Sequence, residues 1–511
     1  MRGAACPKDA APGPSLFAQD FGQIMVAIGK NASRHLPAAR LARPRSWPKL
    51  AGNPTETRMY ASREELDAFL ESHPEVEWID ALIVDLCGQA IGKRLPRAQA
   101  AALTGAGTPV CAAMQLVDVQ GNTADPMGHG FSDGDPDGLA RALPGGIAEA
   151  PWTGGRGAQA LCQLTDATTG APFWYDPREV LARTLARFGA LGLTPVVALE
   201  LEFYLLQPER GPGDAPLPAR SPFTGRAERH GKVLSLAKLD EFQPVIDAMQ
   251  GACAAQGIPA TTMISEYGPG QFEINLAHGA DILRAADDAA LLRRAVTGAA
   301  RAAGHDVTFM SKPFPGDSGS GLHVHLSLLD AEGRNVFDPA LPEGEATLGR
   351  AVAGLQRTMH EAMAVFAPNI NVYRRFKPDE FTPVTRDWGE NNRSVAFRLP
   401  AFGEGAARRL EHRVAGAEAN PYLVTAAVLA GVHHGLSEAL EPSAKHGGNA
   451  GAAVDESLPL TLWDALSAFR AAEVLPGYFG ADYMQIYAEV KQAEFESFLE
   501  DISPREYRWY L

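Results

Sequence analysis

Two histidines, His323 and His325, close the stretch GSGLHVH that begins at Gly319. On an extended strand, residues two apart point to the same face, so the two imidazoles project side by side. Taken alone, the pair fits metal ligation, phosphate contact or a solvated polar face. Other segments repeat the pattern with charged groups. In VVALELEFYLL, Glu200 and Glu202 share a face, and adjacent carboxylates repel unless water or a cation separates them. SEYGPGQFEINL carries Glu266 and Glu273, an odd spacing that a straight strand would send to opposite faces. The Gly-Pro-Gly between them allows a hairpin or bulge that returns both to one face. RRLEHRV sets Arg409, Glu411 and Arg413 on one face, NRSVAFRL offers Arg393 and Arg398, and NVYRRF offers Arg374 and Arg375. Each segment read singly is equally well a solvated strand face. Together, five carboxylates and a histidine could hold two hard divalent cations, and the arginines supply donors for phosphate and carboxylate oxygens. Cations and arginines converging in one funnel is what phosphoryl transfer needs. The chain has no G-x-x-x-x-G-K-[ST] loop and no kinase signature, and GQAIGKR near residue 90 has the wrong spacing.

These residues must be carried by an α+β framework. From Met59 a helix, with Ser62 and Glu65 as a capping box, leads into the strand WIDALIVDLCG. GKRLP, PVCAAMQLVDVQG and GAQALCQLTD continue as short strands, giving a small domain over 59–172. Asp176 before Pro177 caps the first helix of a large domain, 173–511, in which strands alternate with Ala-rich helices. Residues 207–232 carry no periodicity and are expected as loop. Residues 1–58, with RHLPAARLARPRSWPK, read as a disordered tail or a misplaced start, since IMVAIG is too short for a signal-peptide core. A net charge of −15 argues against nucleic-acid binding. No apolar run is long enough for a membrane span, and scattered cysteines without a CxxC pair suit a reducing, cytoplasmic setting.

In order along the chain, ELEF, EYGPGQFEINL, KPFPGDSGSGLHVHLSL, NVYRRFKP, NNRSVAFRLP and RRLEHRVAGAEANPYL resemble the signature blocks of the glutamine synthetase family. EYRWYL at the C-terminus resembles its glutamate–polyamine ligase branch. The resemblance implies a β-grasp N-terminal domain, a catalytic domain on a curved antiparallel sheet flanked by helices, and homo-oligomeric hexamer or dodecamer rings with sites between subunits. It implies ATP and two or more Mg²⁺ or Mn²⁺ ions per site. Glu202, Glu266 and Glu273 would hold the first ion, and Glu200, His323 and Glu411 the second. His325 and Ser327 would contact the nucleotide, with Arg393, Arg398 and Arg409 at its phosphates and Arg393 stabilising charge in transfer. Arg375 and Arg413 would grip glutamate, Gly319 would offer backbone, and Asp85 would reach the neighbour's amine site. Two departures stand out. Ammonia-using members carry a flap glutamate where this chain has Phe381, after Asp379 and Glu380. The tyrosine that some bacterial members adenylylate is missing from KHGGNAGAAVDESLPLTL.

The function expected is ATP-dependent ligation of the glutamate γ-carboxylate to an amine, a polyamine such as putrescine, through γ-glutamyl phosphate. The alternatives are an ammonia-using glutamine synthetase, a catalytically silent structural member, and a His-x-His zinc hydrolase that would leave the arginines unexplained. Because residues 1–58 offer no apolar period with which to join a core, deleting them should leave solubility and ATP turnover intact. Loss of soluble protein on starting at Met59 would contradict this.

Overall fold

Ser62 Oγ accepts the amide of Glu65 at 3.2 Å and opens the helix Arg63–Ser72. The Glu65 carboxylate, expected to complete a capping box, accepts instead from Gly145 N at 2.8 Å. It therefore ties this helix to the neighbouring sheet. That sheet comprises β1 (Trp78–Val84), β2 (Ala90–Pro96), β3 (Thr108–Cys111), β4 (Asp137–Glu149) and β5 (Gly157–Asp166), in the order β2-β1-β5-β4-β3. Only β1 and β5 run parallel. The stretch PVCAAMQLVDVQG, expected as strand throughout, leaves the sheet at Cys111 and turns into a short 3-10 helix, Ala112–Leu116. The computed structural model describes residues 59–402 and 404–511, so the expectations about the N-terminal tail lie outside the described residues.

Alternation along β1 and β5 decides how the sheet is covered. Ile79, Ala81 and Ile83 of β1 and Ala158, Ala160 and Cys162 of β5 join a small core under the first helix. Leu82, Val84 and Leu161 point the other way, into the main core. Both faces are therefore dry, the condition under which strands read as continuous apolar runs. The small sheet and the region after residue 172 share this apolar face.

Asp176 caps the helix Pro177–Ala186 as expected, accepting Arg178 N at 2.8 Å. The second sheet follows: β6 (Thr194–Arg210), β7 (Pro216–Pro218), β8 (Ala260–Ser265), β9 (Gln271–Leu276), β10 (Asp306–Thr308), β11 (Leu322–Leu329), β12 (Trp388–Glu390), β13 (Phe397–Leu399) and β14 (Leu410–His412). Its order is β12-β13-β14-β11-β6-β9-β8, with β7 and β10 on the far end of β6. All pairs are antiparallel except β12–β13. The stretch 207–232, expected as loop, is in part strand, since β6 runs to Arg210 and β7 folds back on it. NVYRRF is not extended: Val372–Arg375 is a 3-10 turn. Leu199, Leu201 and Phe203 of β6 are fully buried against the helical layer, which includes Ile282–Ala302. Glu200 and Glu202 are left on the opposite face. Among the described residues, no helix is long and apolar enough to cross a membrane.

Helices Gly344–Phe366 and Pro421–Ser437 pack at a glycine crossing. A Cβ at Gly354 would lie 2.0 Å from the Gly431 carbonyl oxygen and 2.6 Å from Gly435 N. Gly354→Leu should drive the helices apart and lower Tm by roughly 5 °C or more. Gly251→Ala, in a helix where a Cβ meets nothing within 4 Å, should leave Tm unchanged or raise it. Thermal melts of the two variants check both.

Candidate active site

The second sheet's register brings the charged residues together. Glu200 of β6 lies opposite His323 of β11, and Glu202 lies opposite Glu273 of β9. His325 lies opposite Glu411 of β14, which in turn lies opposite Arg398 of β13. Glu266 sits just past β8, and its amide donates to the Gln271 carbonyl at 2.9 Å. The β8–β9 hairpin thus returns Glu266 to the side of Glu273, as the Gly-Pro-Gly turn suggested. Glu200 and Glu202 come from β6, His323 and His325 from β11, Glu273 from β9 and Glu411 from β14, and these strands turn their other face to the apolar core.

The two halves of this face differ electrically. On the acidic side, loss of water and then the Glu266 charge push Glu202 up to about 8. Burial, followed by Glu200, Glu202 and Glu266, holds Glu273 well above the carboxylate range. Glu266 is raised as well, chiefly by burial. On the other side, His325 Nε2 lies 2.8 Å and His323 Nδ1 3.4 Å from the Glu200 carboxylate. Burial opposes them, yet the two imidazoles pull Glu200 far below its ordinary value. Arg398 donates to Glu411 at 2.6 Å and Arg413 pairs with its other oxygen. Against burial, Arg413, the two histidines and Arg398 draw Glu411 down to about 2. Burial, then Arg413, lowers His323 and favours the neutral imidazole a cation needs.

The donor set fits hard divalent cations. Glu200, Glu273 and His323 can each offer a ligand atom within 4.8 Å of the others, and so can Glu200, His325 and Glu411. His325, expected only at phosphate, therefore also stands in a potential ligand group. Its Nδ1 accepts from Arg409 Nε at 3.2 Å. Glu202 accepts Gly321 N at 2.8 Å, which holds its carboxylate toward the cluster. Arg375 is buried, and Arg393 is exposed in the turn before β13 with its charge felt at Glu266. Gly319 lets Arg375 pass: a Cβ there would lie 2.6 Å from Arg375 Cγ. Its carbonyl, expected to face substrate, accepts Gln271 Nε2 at 2.9 Å. Ser327 donates to the Arg408 carbonyl at 3.0 Å.

Asp85 lies outside the cluster formed by its own chain. Its side chain is buried within its own chain, accepting Gln89 N at 2.8 Å near the Lys491 ammonium. Its carbonyl is fixed by Asn420 Nδ2 at 3.0 Å. Phe381 is exposed beside Tyr267, and Glu380 lies 3.4 Å from the buried Lys312 ammonium. Sequence reasoning missed Asn275, which faces Glu200 across the ladder and donates to Glu273 at 3.1 Å. Its position two beyond Glu273, on the same strand face, was the available signal.

Comparison with known proteins decides what this face belongs to. Residues 174–510 match the catalytic domain of glutamine synthetase. The chain belongs to the glutamine synthetase family. It is 36% identical to gamma-glutamylputrescine synthetase of Escherichia coli K12 over 89% of this chain and 96% of that one. It is 30% identical to gamma-glutamylethanolamide synthetase of Streptomyces coelicolor over 85% of this chain and 92% of that one. The solved structure of GmaS in complex with ADP superposes with a TM-score of 0.73 at 27% identity, covering 87% of this chain and 99% of that one. As a member of this family the protein is an ATP-dependent carbon–nitrogen ligase acting on glutamate and an amine or ammonia, with divalent metals.

The raised carboxylates set a pH dependence. Folded Glu202 keeps a proton that the unfolded chain releases, so metal-free protein should lose stability as pH rises from 4.5 to about 8. Mg²⁺ or Mn²⁺ competes with those protons and should raise Tm more at pH 8 than at pH 6. Thermal melts across pH, with chelator or with metal, check this. A metal-free Tm that climbs over the same interval would contradict it.

Proposed function

We propose that the protein joins the γ-carboxylate of glutamate to a primary amine, a polyamine such as putrescine, through γ-glutamyl phosphate. The observation that carries this reading is Phe381, an exposed aromatic at the flap position of an otherwise complete acidic and arginine-lined face. An ammonia site must attract NH₄⁺, strip a proton and exclude larger amines, which favours clustered carboxylates under a tight flap. An aromatic wall instead suits the methylene stem of an alkylamine. Binding energy from that stem can then assist the reacting nitrogen.

Glu202, Glu266 and Glu273 on one side, and Glu200, His323 and Glu411 on the other, would hold two Mg²⁺ or Mn²⁺ ions that neutralise the phosphates of ATP. Arg393, Arg398 and Arg409 would meet phosphate oxygens, with His325 and Ser327 contacting the nucleotide. Arg375 and Arg413 would grip the carboxylates of glutamate, fixing it for in-line transfer. Phosphorylation turns a poor leaving oxygen into phosphate, and the neutral amine then displaces it. The incoming ammonium must first lose a proton. We assign that step to Glu266, the carboxylate that adjoins the Tyr267 turn. A ring of subunits, hexameric or doubled to a dodecamer, working in the cytoplasm, belongs to the same proposal. The exposed Phe498, Leu499, Trp509 and Tyr510 near the C-terminus support a partner surface of the same chain.

The ammonia-using alternative requires Glu380 to swing into the flap position. Its contact with Lys312, which is itself tied to the Asp317 carbonyl at 2.6 Å, weighs against that. A silent member is disfavoured because every ligand position carries a suitable side chain.

Glutamate-dependent ADP release measured with a panel of amines tests the reading. The kcat/KM should be higher for putrescine or spermidine than for ammonia, and the reverse order would make the protein an ammonia-using glutamine synthetase. Glu273→Ala and His323→Ala should each lower ADP release by roughly a hundredfold or more. Near-normal turnover at low metal would show that the replaced residue is not a ligand.

A further inference from the structure

Tyr267 follows Glu266 at the turn between β8 and β9, and 51% of it is exposed. Its amide donates to the Glu266 carboxylate at 3.3 Å, so ring and carboxylate leave the turn together. The turn is braced from beneath. Lys238 is buried, and its ammonium donates to the Glu266 and Gly268 carbonyls at 3.4 and 2.9 Å. Gln271 Oε1 accepts Gly268 N at 2.9 Å. A large ring held half in water on so firm a support is not a core residue.

Beside it stands Phe381, 55% exposed, with ring centroids 6.0 Å apart and planes inclined by 35°. Phe381 belongs to a separate segment with its own anchor. Asp379 N donates to the Gly451 carbonyl at 3.0 Å, and the Asp379 carboxylate accepts Asn449 Nδ2 at 2.8 Å. At 6.0 Å the rings touch each other, so nothing passes between them. They form one apolar lip beside the turn that carries Glu266.

Resting on the ligase reading above, we infer that Tyr267 is a specificity residue that selects the amine by its carbon chain. With the reacting nitrogen at Glu266, a linear alkyl stem runs along the lip and shields both rings from water. A second ammonium at the far end meets the ring faces, where cations are attracted. The favoured class is therefore a linear aliphatic primary amine of several methylenes, with a diamine above the monoamine of equal length. A branched or very short amine leaves the lip wet and gains nothing from it.

The test is kcat/KM for the n-alkylamines from methylamine to pentylamine, and for putrescine, in full-length wild type, Tyr267→Ala and Tyr267→Phe. Partial burial of each methylene predicts a rise of roughly twofold per carbon in the wild type. Tyr267→Ala should flatten this rise while methylamine changes little, and Tyr267→Phe should keep it because the ring, not the hydroxyl, makes the lip. An unaltered melt of Tyr267→Ala serves as the folding control. A slope that survives in Tyr267→Ala overturns the lip and leaves the ligase reading standing, as does a slope lost equally in Tyr267→Phe. A wild type that ligates ammonia alone overturns the polyamine reading and the lip with it.

Discussion

Glu202 and Glu273 face each other across the β6–β9 ladder, with Glu266 brought alongside by the hairpin. Like charges directly opposite on a ladder destabilise a sheet, and here the pair is also drawn out of water. The chain tolerates this because the other face of the same strands, led by Leu201, Phe203 and Ile274, is fixed in the main core. Period-two geometry then leaves the carboxylates no other place to go. Protonation or a bound cation must relieve the repulsion. At neutral pH a divalent ion would do so with the larger electrostatic gain, which supports the proposal that the acidic face is a metal site.

Across β6 the same sheet solves the opposite problem. Glu200 and Glu411 are already satisfied by His323, His325, Arg398 and Arg413. His325, Arg398 and Arg413 are the groups we propose for the nucleotide, its phosphates and glutamate. Ligand binding would therefore exchange internal ion pairs for external ones, and so avoid stripping bare charges of water. The face is preorganised in this sense: its donors are aimed before any substrate arrives, and the cost of burying them is met during folding.

Much of the framework was legible because it depends on local chemistry. Asp176 before Pro177 stops and starts a helix in any context, and ELEF can only alternate. Segment-by-segment reading could not supply register, because no segment states which residue of another strand it will face. The meeting of Glu202 with Glu273, or of His325 with Glu411, is a property of two strands and a hairpin length. Tertiary contacts also override local signals. Glu65 leaves its capping box for Gly145, Arg375 sits on a helical turn, and Asp85 turns inward once Gln89 and Asn420 are placed around it. Tyr267 carries no charge pattern, and only its exposure beside Phe381 reveals it.

The account stands or falls on the acidic face exchanging protons for a cation. Calorimetric titration of the metal-free protein with Mn²⁺ at pH 7, repeated in buffers of different ionisation enthalpy, measures that exchange directly. The predicted result is a binding heat that varies with the buffer in the sense of proton release, diminished in Glu273→Gln. A binding heat identical in every buffer, or unaffected by Glu273→Gln, would contradict it.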